Sequence, residues 1–256
     1  MPTEPNAEPN AGPNAGPNAE PSEAPDLLLR PAGPEDAAAM AELHLAARAA
    51  NLGSLPPTVH TAEETRAWMG RRLAENGEGW VAERDGELVG YLVLTDDWLD
   101  DLYVRPGAYG GGVGAALLDL AKGLRPDGFC LWVFESNRGA RRFYARHGLV
   151  ELEHTDGSAN EEHAPDVRMA WPGRDPLRFL RGLVDEVDAA LGDLLARRAA
   201  LTRAIQPVKG GPTRDPARER EIAEAMALRA PALGADRLAR IVRVVVEESL
   251  DAAREG

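Results

Sequence analysis

The sequence is poor in cysteine, aromatic residues, long apolar runs and positive charge. With Cys130 as its single cysteine, the chain can form no intramolecular disulfide and no thiolate metal cluster. No stretch reaches the ~18 to 20 uninterrupted apolar residues that a membrane span needs. Against 42 Asp+Glu stand 29 Lys+Arg, a formal net charge of −13, which argues against nucleic acid as the main partner. No charged start followed by an apolar core opens the chain, so no secretory signal is expected and the cytoplasm is the default compartment. What is present is 256 residues, 44% hydrophobic and 5% aromatic, enough for one large or two modest globular domains.

Charge and texture divide the chain. Residues 173–256 hold 15 Lys+Arg and 14 Asp+Glu, which leaves 14 and 28 for residues 1–172. The unit Pro-Asn-Ala-Glu/Gly recurs from Pro5 through Glu20 and then decays, and the segment offers nothing to bury, so a disordered tail is expected over residues 1–26. From Leu27 to Pro172, strand and helix signals alternate. Leu27–Leu29 reads as a strand, Pro34-Glu35-Asp36 opens an alanine-rich helix, and Thr61-Ala62-Glu63-Glu64 has the form of a capping box. Trp80–Arg84 and Glu87–Leu94 flank the hairpin signal Asp85-Gly86, and Leu99–Val104 is a further strand running into glycines. Phe129–Val133 is a strand, Asn137–His147 a helix, and two strands follow before Trp171. Cys130 lies within Phe129–Val133, as a small buried hydrophobe or a reactive thiol. After Pro172-Gly173-Arg174-Asp175-Pro176 the strand signals cease. Leu180, Val184, Val187, Leu191, Leu194, Leu201 and Ile205 share one face of a long helix, Asp215-Pro216 opens a second, and Leu238–Ala253 forms a third.

A glycine-rich passage from strand to helix is a natural anion site, because free backbone N–H groups point outward and glycine lets phosphate oxygens approach. Here it reads Val104-Arg105-Pro106-Gly107-Ala108-Tyr109-Gly110-Gly111-Gly112-Val113-Gly114. With the downstream segment Asn137-Arg138-Gly139-Ala140-Arg141-Arg142-Phe143-Tyr144, it resembles the two signatures of the GNAT superfamily of N-acetyltransferases, over Leu27 to about Trp171. The resemblance implies a mixed central sheet with flanking helices and acetyl transfer from acetyl-CoA to an amine. It implies that Val104, Tyr109, Gly110, Gly112, Val113, Gly114 and Asn137 bind the cofactor, and that Tyr144 protonates the departing thiolate. Tyr109 departs from the Arg or Gln usual there. An amine must also lose a proton before attack. Asp100 and Asp101 lie on the strand leading to the turn, where alternation puts them on opposite faces. Asp100 is preferred as base, with a solvated carboxylate as the other reading; for Tyr144 that other reading is a core aromatic. The loop Asp156–Glu162 faces either the acceptor or solvent.

In the helical segment, counting sevens from Val184 reaches Leu191, Arg198 and Ile205. A guanidinium in an apolar slot calls for an anionic partner. Arg181, Lys209 and Arg218 gather around it in sequence, and the segment 176–255 resembles the all-helical chorismate mutase family. The resemblance implies an all-α three-helix domain that binds chorismate through Arg198, Lys209, Asp215, Arg218, Glu219 and Ser249, with Arg181 donated by a second copy in a homodimer. Chorismate rearranges to prephenate without nucleophile or base, so such a site works by holding the reactive conformer and stabilising charge at the breaking ether bond, the part Lys209 takes. Ala253 stands where that family has Gln or Glu, and the loop 210–214 is short. The expectation is therefore an α+β acetyltransferase fused to a chorismate mutase, with acetyl-CoA, an amine and chorismate as small-molecule partners and with no metal, nucleic acid or membrane.

Overall fold

The computed structural model describes residues 26–75, 78–209 and 214–255, with the backbone alone at Glu75, Lys209 and Glu255. The expected disordered tail, apart from Asp26, and most of the short 210–214 loop lie outside the described residues. By contacts, the chain divides into two compact units, the first ending at Arg174 and the second beginning at Asp175.

The first unit opens with β1 (Leu28–Pro31), a 3-10 turn (Pro34–Asp36), α1 (Ala37–Ala50) and α2 (Ala62–Glu75). Next come β2 (Glu78–Arg84), β3 (Glu87–Thr95), β4 (Trp98–Val104) and α3 (Val113–Leu124). β5 (Phe129–Phe134), α4 (Arg138–Arg146), β6 (Val150–Thr155) and β7 (Asp166–Trp171) complete it. The local chemistry behaves as the sequence suggests. Thr61 and Glu64 cap α2 reciprocally, the Glu64 carboxylate accepting from the Thr61 N–H at 2.8 Å and the Glu64 N–H donating to the Thr61 hydroxyl at 3.2 Å. Asp85 and Gly86 both take positive φ, 55° and 78°, as a type I′ turn between β2 and β3 requires.

The seven strands lie in the order β1-β2-β3-β4-β5-β7-β6. All neighbours are antiparallel except β4 and β5. Alternation sends one set of side chains to each face. Met40, Met69, Tyr91 and Val93 pack with α1 and α2 on one side, and Leu92, Leu117, Phe129 and Met169 pack with α3 and α4 on the other. Gly90 permits close approach on the second side: a Cβ there would lie 2.8 Å from Val113 Cγ1 and 3.0 Å from Leu117 Cδ1.

Two irregularities shape the middle of the sheet. β4 and β5 pair only at Trp98 and Cys130, anchored by the Cys130 N–H donating to the Asp97 carbonyl at 2.9 Å. Beyond that point the two parallel strands separate. A bulge also interrupts β3–β4, where Val93 faces Asp101 but Leu94 faces Leu99, so Asp100 has no register partner.

The second unit is three helices, α5 (Pro176–Lys209), α6 (Pro216–Arg229) and α7 (Gly234–Glu255). α7 begins four residues earlier than its apolar pattern suggests, with Gly234 at φ 72° as its first residue. The buried cluster here is small: Ala223, Leu238 and Val242, with Ile222, Ala227, Ala230 and Val246 against it. No described helix is long and apolar enough to cross a membrane.

Candidate active sites

A cavity of about 1010 Å³ occupies the opening between β4 and β5. The glycine turn forms one end. Gly110 and Gly112 hold φ of 78° and 81°, and Gly112 caps α3 without a side chain, so no side chain covers the first N–H groups of that helix. Gly114 also lines the wall; a Cβ there would meet the Phe143 ring at 3.5 Å. Val104 lines the cavity. Val113 does not: its side chain is buried in the core beneath α3, which leaves only its backbone available to a ligand.

Tyr144 lines the cavity from α4 and is buried, and that burial, reinforced by Tyr103 and Asp101 nearby, pushes its phenol well above the usual range. Asn137 lines it too, and its Oδ1 already accepts the Ala140 N–H at 3.1 Å, capping α4. Tyr109 reaches across to the end of α1, where its hydroxyl accepts from Asn51 Nδ2 at 3.0 Å. That position therefore bridges two walls of the cavity.

The carboxylates on β4 do not alternate as expected. The bulge at Asp100 breaks the two-residue period, and both side chains approach one guanidinium from α2. Arg72 Nη2 lies 2.6 Å from Asp100 Oδ2, and Arg72 Nε lies 3.6 Å from Asp101 Oδ2. Asp100 lines the cavity. Asp101 is buried behind it, its Oδ2 without a hydrogen bond, and desolvation raises its pKa to about 6 despite Arg72. Arg72 has no distinguishing mark in the sequence, since a helix-borne arginine reads as solvated.

Asp166 likewise carries no mark in the sequence. Standing alone at the start of β7, it lines the cavity, accepting a hydroxyl hydrogen bond from Thr155 on one oxygen and the Asn160 amide at 2.9 Å on the other. The polar loop that sequence left between two readings reaches this cavity through Ala159 and Asn160. Its Glu162 pairs with Arg48 of α1 at 3.2 Å, and Glu161 with His60 at 2.6 Å.

In the second unit, Arg198 and Ser249 meet: Arg198 Nη1 donates to Ser249 Oγ at 2.6 Å and to the Val245 carbonyl at 3.1 Å. Both acceptors are neutral, so the anionic partner expected for this guanidinium does not come from these contacts. Arg214 clasps Glu219 through two nitrogens at 2.9 and 2.7 Å, and it also reaches Glu247 at 3.2 Å. That clasp holds the Glu219 carboxyl below its usual range. Arg218 pairs with Glu221 on its own helix. Asp215 serves as the α6 cap, accepting the Ala217 and Arg218 N–H groups. The Lys209 side chain lies outside the described residues. Arg181 sits seventeen residues before Arg198 on α5, about 25 Å along the axis at 1.5 Å per residue.

The two units belong to different families. Residues 75–151 match the family model of the acetyltransferase (GNAT) domain, and residues 180–254 that of chorismate mutase type II. The chain thus carries a GNAT acetyltransferase domain followed by a chorismate mutase type II domain. An uncharacterized N-acetyltransferase of Archaeoglobus fulgidus is 35% identical over 96 residues, 32% of this chain and 65% of that protein. Peptidyl-lysine N-acetyltransferase YjaB of Salmonella typhimurium is 39% identical over 71 residues, 27% of this chain and 48% of its own length. Mycothiol acetyltransferase of Streptomyces avermitilis is 37% identical over 84 residues, 29% of this chain and 27% of its own. The chain thus spans from about a quarter to just under two thirds of these relatives. Among solved structures, apo YjaB from Escherichia coli is similar at 22% identity and a TM-score of 0.49, covering 58% of this chain and 99% of its own.

Proposed function

We propose that the chain is a bifunctional cytoplasmic enzyme. Residues 27–172 transfer acetyl from acetyl-CoA to an amine, and residues 173–256 convert chorismate to prephenate as a homodimer. The first half rests on one observation: β4 and β5 part beside an α3 N-terminus that no side chain caps, with Tyr144 on the same cavity wall. The residues present fit acetyl-CoA. Backbone N–H groups at Gly110, Gly112 and Gly114 would take the pyrophosphate, and the Asn137 amide nitrogen would hydrogen-bond the pantetheine arm, its oxygen being used as a cap. When bound, acetyl-CoA supplies an acyl group on a thiolate leaving group. Tyr144, kept protonated by burial, would supply the proton that the departing thiolate needs. Asp100 takes the proton that the amine sheds. Tyr144→Phe should lower turnover about 100-fold and leave acetyl-CoA affinity unchanged by calorimetry; undiminished turnover would refute the assignment.

For the helical unit, the supporting observation is Arg198, a guanidinium whose contacts across the helices are to neutral oxygens. A substrate carboxylate would complete its pairing. Arg181 is too far along the same helix to join it, which favours donation from a second copy, and Glu219 would take the ring hydroxyl. Half-exposed Leu191, Leu194 and Leu201 give that copy an apolar seam. Ala253 supports a second reading, in which the helices dimerise and bind chorismate without catalysis. Loss of chorismate absorbance, abolished by Arg198→Ala, supports the mutase; no loss in the wild type supports the second reading.

A further inference from the structure

We propose that the acetyl acceptor carries a second positive charge, and that Asp166 binds it. This rests on the acetyltransferase reading and goes beyond it by naming the acceptor class. Asp166 is 9% exposed. Both of its oxygens are held by neutral donors, Thr155 on one and Asn160 on the other. Among the described residues, no Lys, Arg or His lies within ion-pair distance of it. A buried carboxylate costs several kcal/mol unless a cation compensates it. The neighbouring cation is engaged elsewhere. Arg168, two residues along β7 and on the same face, lies over the Trp98 ring at 4.9 Å and 3.5 Å from Glu153. The position left open beside Asp166 is the cavity itself.

The sheet register puts this carboxylate on the side from which an acceptor would enter. Asp166 pairs with Phe134 and Arg168 with Trp132, and directly paired residues point to the same face. That is the face turned away from Tyr144 and α4, and it is the side from which Arg72 of α2 reaches Asp100. Trp132, 45% exposed and stacked on Trp98, forms the wall between the two carboxylates. Asp100 is compensated by Arg72; Asp166 is not. From the β4 bulge, Asp166 lies two strands across and about two residues along, some 10 Å or more by ordinary sheet spacing. An ammonium at Asp166 is therefore a different group from the nitrogen that is acetylated. The acceptor this geometry suits is a linear diamine or polyamine, its methylenes against Trp132.

The test compares 1,5-diaminopentane with n-pentylamine, which share an alkyl chain and differ by one ammonium. With the full chain and saturating acetyl-CoA, kcat/KM should favour the diamine by at least about ten-fold. Asp166→Asn should bring that ratio near one through the diamine KM, with acetyl-CoA affinity unchanged. The wild-type ratio is informative even if Asp166→Asn unfolds. Equal use of the two amines, use of neither while acetyl-CoA binds, or a ratio unaltered in a folded Asp166→Asn overturns the acceptor assignment alone. Failure of the wild type to bind acetyl-CoA overturns the acetyltransferase reading beneath it.

Discussion

Asp101 has an unfavourable charge in the folded chain, and removing that charge should stabilise the first unit in a pH-dependent way. Its carboxyl rises from 3.8 to about 6, chiefly because it is desolvated behind the cavity, and the attraction of Arg72 is already included in that net shift. At 1.36 kcal/mol per unit, the shift corresponds to about 3 kcal/mol. Because the folded-state pKa lies above the unfolded one, the sign is set. Below about pH 4 both states are protonated and nothing is lost, and between about 4 and 6 the folded state loses stability as pH rises. Asn mimics the neutral acid. Asp101→Asn should therefore match the wild type near pH 4 and exceed it by about 3 kcal/mol at pH 8, or about 6 to 12 °C in melting temperature for a unit of this size. All five tryptophans lie between Trp68 and Trp171, so their fluorescence follows the first unit alone. A variant less stable than wild type at pH 8, or a gain equal at pH 4 and pH 8, would refute the reasoning.

Two further outcomes follow from packing. Gly90→Ala puts a methyl within 2.8 Å of Val113 and 3.0 Å of Leu117, so those side chains or the helix that carries them must shift; the expected cost is about 1 to 3 kcal/mol, read as a lower urea midpoint of tryptophan fluorescence. Leu194→Glu places a charge in the exposed seam of α5 and, on the proposed homodimer, should shift sedimentation from dimer to monomer while leaving acetyl-CoA binding unchanged. An unaltered sedimentation coefficient would remove that seam from the interface.

Much of the fold is legible in the sequence because local signals agree with tertiary ones. The Thr61–Glu64 box, the Asp85-Gly86 turn and the Asp215 cap each satisfy backbone groups within a few residues, so short-range spacing suffices to find them. The cavity is less legible because it arises from two departures from regularity. One is the parting of parallel β4 and β5, which periodicity does not encode. The other is the bulge at Asp100, which voids the alternation argument for the two acids. Arg72 and Asp166 escaped notice for a related reason. Each matters through a partner distant in sequence, Arg72 through β4 and Asp166 through a cavity walled by β4, β5 and α4.

The helical unit poses the opposite difficulty, because its pattern is clear and its packing incomplete. Leu191, Leu194 and Leu201 recur with the regularity of a core-facing stripe, yet each remains 49% exposed or more in the single chain. The cluster that is buried rests on Ala223, Leu238 and Val242, few and small side chains to offset the ordering entropy of about eighty residues. A stripe that is apolar in sequence and bare in the single chain is the surface that the proposed homodimer would cover. The same reasoning applies to Arg198. Its place in the heptad count is that of a core residue, and among the described residues its contacts across the helices are to neutral oxygens, which is what the proposed carboxylate ligand would complement. On the proposed homodimer, stability and ligand binding in this unit should both depend on protein concentration, because the same seam would complete the core and bring the second Arg181.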